Sequence, residues 1–189
     1  MTDLSPLIPQ TALGTVVPRE ARIGSVILAE DATLGLASIA LRAGYPAPTP
    51  FGLTLPDVSG VSANARAGAF WMGRGQWMLE LPGQAEADVV AQVVPQAPGC
   101  AVTEQTDGFV TLNLSASAAQ RLAQLLEKLV NVAVEDLAPG RVVRTGLDHM
   151  TVFVIRRSAT ELTVLGMRSF ANALWHALER AIRNSEGST

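Results

Sequence analysis

Chemically versatile residues are scarce in this 189-residue chain, which holds one cysteine, Cys100, and two histidines, His149 and His176. A lone cysteine forms no internal disulfide and supplies no thiolate cluster, so a disulfide framework and a cysteine-built zinc site are both excluded. A metal centre would have to recruit carboxylates, and none stands at a recognisable ligand spacing. Charge is thin as well. Asp, Glu, Lys and Arg make up 16% of the residues, against roughly 25% in an average soluble domain. Two readings stay open: the habit of an Ala-, Val- and Leu-rich monomer, or a weakly charged surface covered by a partner, since interface cores are depleted in charge. A net charge of −3 offers no broad positive field, so nucleic-acid binding is not expected. The longest nearly continuous apolar stretch, Leu34 to Leu41, is far shorter than the roughly 18 to 20 residues that cross a bilayer. Met1 to Gln10 contains Asp3 and two prolines and lacks the basic segment and apolar core of a secretory signal. No membrane association is expected, and a cytoplasmic location is.

What is present is strand and helix patterning. Residues 1–20, with Pro6, Pro9 and Pro18, read as an extended arm, because proline removes a donor and disfavours helix before it. Residues 21–189 read as a single α+β domain or two closely packed lobes. Gly24 to Ala29 and Leu34 to Leu41 read as strands around a polar turn, the second with a short helix as its alternative. A Pro-rich connection runs from Tyr45 to Val61. Gly68 to Met72 and Trp77 to Leu81 then flank Gly73-Arg74-Gly75-Gln76 as a hairpin, with Trp77, Leu79 and Leu81 on one face. Gln84 to Val94 reads as a helix stopped by Pro95. Val102 to Thr106 and Phe109 to Leu114 read as a second hairpin around Asp107-Gly108. Ala116 to Val130 has helical spacing with Ser115 or Ser117 as cap, His149 to Ile155 suits a strand buried on both faces, and Leu162 to Gly166 suits its neighbour. The last helix runs from about Ser169, a candidate cap, to Arg183. Strand pairs alternating with single helices predict an α+β fold of antiparallel sheets with helices packed on one face.

Catalytic constellations are missing from the pattern. Gly73-Arg74-Gly75 is followed by an alternating strand and not by a helix, so it reads as a hairpin turn and not as a dinucleotide loop. Asp148-His149 with Ser169 would need Asp148 to orient its own neighbour, which points to the opposite face of a strand, and no Gly-x-Ser-x-Gly elbow exists. A hydrolytic triad is therefore disfavoured, and no catalytic, cofactor-binding or metal residue is assigned. The last helix carries more information. Phe170, Ala173, Leu174, Ala177, Leu178 and Ala181 form a core face, and Ala171, Trp175 and Ile182 widen the apolar arc to half the circumference or more. Asn172, His176, Glu179 and Arg183 fill the polar strip. Aromatic anchors are enriched in interfaces, which makes Trp71, Trp175 and His176 the candidate subunit-interface residues. Packing of the tryptophans at the domain edge and solvation of His176 is the alternative.

Several stretches together resemble the γ subunit of heterotetrameric bacterial sarcosine oxidase. The most specific is Thr145-Gly146-Leu147-Asp148-His149-Met150-Thr151-Val152-Phe153-Val154-Ile155, followed by Arg168-Ser169-Phe170-Ala171-Asn172-Ala173-Leu174-Trp175-His176-Ala177-Leu178. Ser5-Pro6-Leu7, the strand from Trp77 to Leu81, and Asp107 to Ser115 support it. The resemblance implies a reduced form of the folate-binding aminomethyltransferase fold. It also implies a complex that oxidises sarcosine to glycine with hydrogen peroxide, yielding formaldehyde or 5,10-methylenetetrahydrofolate. In that family FAD, FMN, NAD, tetrahydrofolate and zinc belong to the α, β and δ partner subunits, and none is expected on this chain. The γ chain's share is architectural. Two alternatives remain: the same role in a related complex acting on another N-methyl amino acid, and an independent folate-binding one-carbon protein. Against the second, Pro98-Gly99-Cys100-Ala101 replaces the Lys-Gly-Cys-Tyr-x-Gly-Gln motif of a folate-dependent relative of that fold. Fold without site does not carry function.

Overall fold

The structure, a computed structural model, describes residues 8 to 131 and 134 to 186. Ser5-Pro6-Leu7 and the first residues of the arm lie outside them. Two antiparallel sheets carry the fold. The first, in the order β1 (Glu20–Ile23), β2 (Val26–Asp31), β8 (Phe109–Ala116), β11 (Glu161–Met167), β10 (Met150–Arg156), β9 (Arg141–Leu147), has six strands. The second has five: β4 (Val61–Ala63), β5 (Gly68–Gly73), β6 (Gln76–Leu81), β3 (Gly35–Leu41), β7 (Cys100–Glu104). Helices α2 (Ala119–Leu129) and α3 (Ala171–Glu186) cover one face of the first sheet, and the short α1 (Val89–Val93) covers the outer face of the second. The architecture is α+β, with each sheet backed by helix on a single face.

Strand periodicity of two separates three layers of core. On β8, Val110, Leu112 and Leu114 point to α2 and α3, where they meet Leu122, Leu125, Leu174 and Leu178. On β6, Trp77, Leu79 and Leu81 share the opposite side of the second sheet with Val89 and Val93, as their alternation predicts. Between the sheets lie Leu36, Phe70 and Met78 from one and Val142, Phe153, Ile155 and Leu165 from the other. The strand β10 is buried on both faces because Val152 and Val154 serve one layer while Phe153 and Ile155 serve the next. The sheets are also tied by an ion pair, in which Arg157 grips the buried Glu80 through both guanidinium nitrogens and donates from Nε to Thr163 Oγ1 at 3.1 Å.

Several sequence expectations are corrected. The Asp107-Gly108 segment is not a hairpin, because β7 pairs with β3 in the second sheet and β8 pairs with β2 and β11 in the first. A 3-10 turn at Thr106–Gly108 carries the chain from one sheet to the other. The strands β2 and β3 likewise belong to different sheets, and β3 is extended, not helical. The α1 helix is five residues long, capped by Asp88, whose side chain accepts from Ala91 N. Neither Ser115 nor Ser117 caps α2, which starts after Ala118 without a side-chain cap, and Ser169 lies in a 3-10 turn (Arg168–Phe170) ahead of α3. His149 does not start a strand. Asp148 and His149 are the two central residues of the β9–β10 hairpin, with φ of 47° and 67°. Paired positive φ values are what a tight two-residue hairpin needs.

The arm folds back on its own chain. Both oxygens of buried Glu30 accept backbone N–H groups from it, Leu13 at 3.1 Å and Arg19 at 3.2 Å. Two charge-assisted bonds of this kind satisfy a carboxylate on the helix-facing side of β2, where it would otherwise be costly.

Candidate functional site

The three candidate interface residues do not form one patch. Trp71 is half-buried on β5 opposite Trp77, where it touches the core layers on either side of the second sheet. His176 is exposed on α3, beyond the first sheet, with Nδ1 at 3.5 Å from Glu179. Trp175 is fully buried, which corrects its expected place at the helix edge. The guanidinium of Arg19 lies 4.6 Å from the centre of its ring, so the returning arm covers a face that the helical pattern alone leaves open. Its indole N–H has no acceptor among the described residues. An unpaired buried donor costs about 1–3 kcal/mol; the burial of a whole indole and the cation–π contact offset it.

The buried face of α3 differs from the one the helical pattern predicts. Ala171, Leu174, Trp175, Leu178 and Ile182 are buried, while Phe170 and Ala173, both expected inside, are exposed. Phe170 keeps 46% of its surface open and Met167 keeps 52%. Arg168, between them, donates from Nη2 to the Gln10 carbonyl at 3.0 Å and so joins this turn to the arm. The arm in turn exposes Ile8, Val16 and Val17. Of the eight large apolar side chains left exposed among the described residues, five lie in these two adjoining segments. Contiguous exposed apolar surface marks an interaction site more often than scattered residues do. The sequence reading missed these five; its one usable signal was the Val16-Val17 pair in a Pro-flanked segment.

Next to Phe170 lies an open depression of about 370 Å³ lined by Asp148, His149, Met150, Ala173, His176 and Arg180. Both histidines of the chain border it, one held there by the hairpin turn and one by α3. Asp148 pairs with Arg180, and because Asp148 and His149 sit in the hairpin turn, the strand alternation expected to separate them does not apply. Glu179 faces His176 from below, and the Arg183 guanidinium at 3.0 Å, with a smaller contribution from His176, holds its carboxyl below the usual carboxylate range. Cys100 is buried, and desolvation pushes its thiol up against the opposing pull of Arg42, which makes it a poor nucleophile. Gly73-Arg74-Gly75 closes the β5–β6 hairpin, so no helix N-terminus follows it to face a pyrophosphate. Among the described residues no three His, Cys, Asp or Glu side chains group as metal ligands, and no helix is long and apolar enough to cross a membrane.

No family model matches the chain, and no curated protein is similar to it in sequence. Solved structures do match. A chain of the heterotetrameric sarcosine oxidase from Corynebacterium sp. U-96, determined in complex with pyrrole 2-carboxylate, superposes with a TM-score of 0.70 at 20% identity, over 88% of each chain. The likeness is one of fold. Glycine cleavage system aminomethyltransferase T from Bartonella henselae superposes with a TM-score of 0.54 at 18% identity. That match takes in 79% of this chain and 44% of the aminomethyltransferase, so the chain corresponds to less than half of that protein. The fold relationship to the aminomethyltransferase type, expected from the sequence, is therefore found in the structure.

Proposed function

We propose that this chain is the non-catalytic γ-type subunit of a heterotetrameric sarcosine oxidase, or of a related complex acting on another N-methyl amino acid. The observation that carries the reading is the face built by the arm and the Arg168–Phe170 turn. Five of the eight large apolar side chains exposed among the described residues lie on these two segments, which the Arg168–Gln10 hydrogen bond joins, on a chain with few charges, and exposed apolar surface of this kind is completed by burial against a partner. The fold likeness to a chain of a four-subunit oxidase, over nearly the full length of both, supports the same assignment. The occupant of the face is the larger, flavin-bearing subunit. FAD, FMN, NAD, tetrahydrofolate and zinc are assigned to the α, β and δ partners. The described residues fit none of them well: the Gly-x-Gly sits in a hairpin, and no three His, Cys, Asp or Glu side chains among them group as metal ligands.

The chemistry of the complex then belongs to the flavin, and this chain contributes architecture. Purified alone, it is expected to be colourless and to form no peroxide from sarcosine. Coexpressed with the larger oxidase subunits, it is expected in a yellow, active complex. A visible spectrum and a peroxide assay on each preparation check this. Stoichiometric flavin on the isolated chain would overturn the non-catalytic reading.

A further inference from the structure

A cavity lies on the inner side of the first sheet, where the two sheets part. It is a half-open cleft of about 460 Å³, within the range of roughly 300–1,000 Å³ in which small-molecule sites fall. The inner face of the first sheet is apolar under the second sheet, at Val142, Phe153, Ile155 and Leu165. On β8 and β2 it turns polar. Thr111 and Asn113 of β8 stand on that face, and their ladder partners there are Asp31 of β2 and Thr163 of β11 respectively. The cleft opens over this polar stretch, and its floor is the Arg157–Glu80 ion pair.

Hydrogen-bond accounting separates the occupied groups from the open ones. Arg157 is spent on Glu80 and Thr163, and Thr163 donates to Asn113 Oδ1 at 2.8 Å. Glu80 packs so close to β5 that a Cβ on Gly68 would come within 2.8 Å of its Oε2, which leaves no room for a side chain there. Asp31 accepts from the Thr33 N–H and hydroxyl through Oδ1, and its Oδ2 accepts from no described residue. Only 5% of the Thr111 surface is exposed, yet its hydroxyl makes no hydrogen bond to a described residue. The only fully enclosed unpaired side-chain atom among the described residues is Trp175 Nε1, so the Thr111 hydroxyl is not sealed off, and Thr111 lines both this cleft and the depression beside it. Asp31 and Thr111 stand where the cleft meets a smaller depression under the arm. A buried, unpaired hydroxyl beside a half-satisfied carboxylate is a recognition pair awaiting a donor.

Charge and shape fix the class of ligand. The cleft is lined by Asp31, Glu80 and Glu161 against one cation, Arg157, which Glu80 already neutralises. Leu34, Ala63, Ala67 and Pro82 supply apolar wall, and Asn64 and Ser115 add neutral polar groups. We infer that the cleft is a binding site for a small organic cation, an ammonium or amidinium on an apolar body, whose N–H groups reach Asp31 Oδ2 and Thr111 Oγ1. Anions are turned away by the two uncompensated carboxylates.

The test uses the full chain, benzamidine as probe and benzamide as its neutral isostere, titrated calorimetrically at neutral pH. One saturable benzamidine site per chain is expected, with benzamide at least about tenfold weaker, the scale of a charge-assisted hydrogen bond. Asp31→Asn keeps the Oδ1 acceptor that holds Thr33 and is expected to weaken benzamidine about tenfold. Should Asp31→Asn lower the thermal midpoint, Thr111→Val supplies the second variant, with weakened benzamidine binding as the same expected result. Absence of saturable binding, equal affinity for benzamide, or unchanged affinity in the folded variants would each overturn the site.

Discussion

Arg157→Met is expected to destabilise the chain by about 3 kcal/mol or more, because it leaves Glu80 as a buried carboxylate without its partner. The Glu80 side chain is 5% exposed, so water replaces little of what the guanidinium supplied. Thr163 and Asn113 would lose part of their network in the same step. The double variant Glu80→Met, Arg157→Met is expected to be much less unstable than the sum of the two single ones, since an apolar pair of similar volume removes both charges together. Urea unfolding of the four proteins measures the coupling. Additive losses would mean that the two side chains do not act as a unit and that the sheets are held by the Phe70–Phe153 layer alone, whose ring centres are 5.3 Å apart.

Trp175→Asp is expected to abolish stable folding, whereas Asn172→Asp on the exposed side of the same helix stays within about 0.5 kcal/mol of the parent. Truncation of a buried tryptophan already costs about 3–5 kcal/mol, and a carboxylate enclosed by Leu174, Leu178 and the arm adds desolvation without a partner. The indole N–H is unpaired, so Trp175→Phe should be tolerated far better than the aspartate. Circular dichroism and thermal melts of the three variants check this. Small, equal effects of Trp175→Asp and Asn172→Asp would contradict the burial of α3 beneath the arm.

Local pattern was legible in the sequence where one element decided its own fate. Alternation at Trp77, Leu79 and Leu81 put those residues on one face, and the run through Val152 to Ile155 gave a strand buried on both sides, as found. Elements with mixed polarity escaped. The strand β9 was not read because Arg141, Arg144 and Thr145 interrupt its apolar residues, although Arg144 lies over the Phe153 ring at 5.8 Å. The short β1 and β4 carry no strand signal of their own, since each has only three or four residues and lies beside a Pro-rich segment. Asp107-Gly108 has the residues of a hairpin turn, yet sheet membership is decided by non-local pairing, and the segment serves as a crossover. Trp175 was misplaced for a similar reason: a helical wheel has no knowledge of an arm returning from residue 19. Phe170 and Ala173, placed in the core by the same wheel, are exposed.

In the proposed assembly the face formed by the arm and the Arg168–Phe170 turn docks this chain onto a larger oxidase subunit. Phe170→Asp tests it most directly, because the side chain is 46% exposed and its loss leaves the core of α3 intact. With a tagged copy of this chain coexpressed beside the larger subunits, the parent is expected to bring flavin-containing partners through purification. The variant is expected to keep the parent's thermal midpoint and lose at least about tenfold in recovered flavin per chain, since a buried apolar anchor replaced by a desolvated charge costs more than the 1.4 kcal/mol of a tenfold change. Full recovery of flavin with Phe170→Asp, or no recovery with the parent, would contradict the claim.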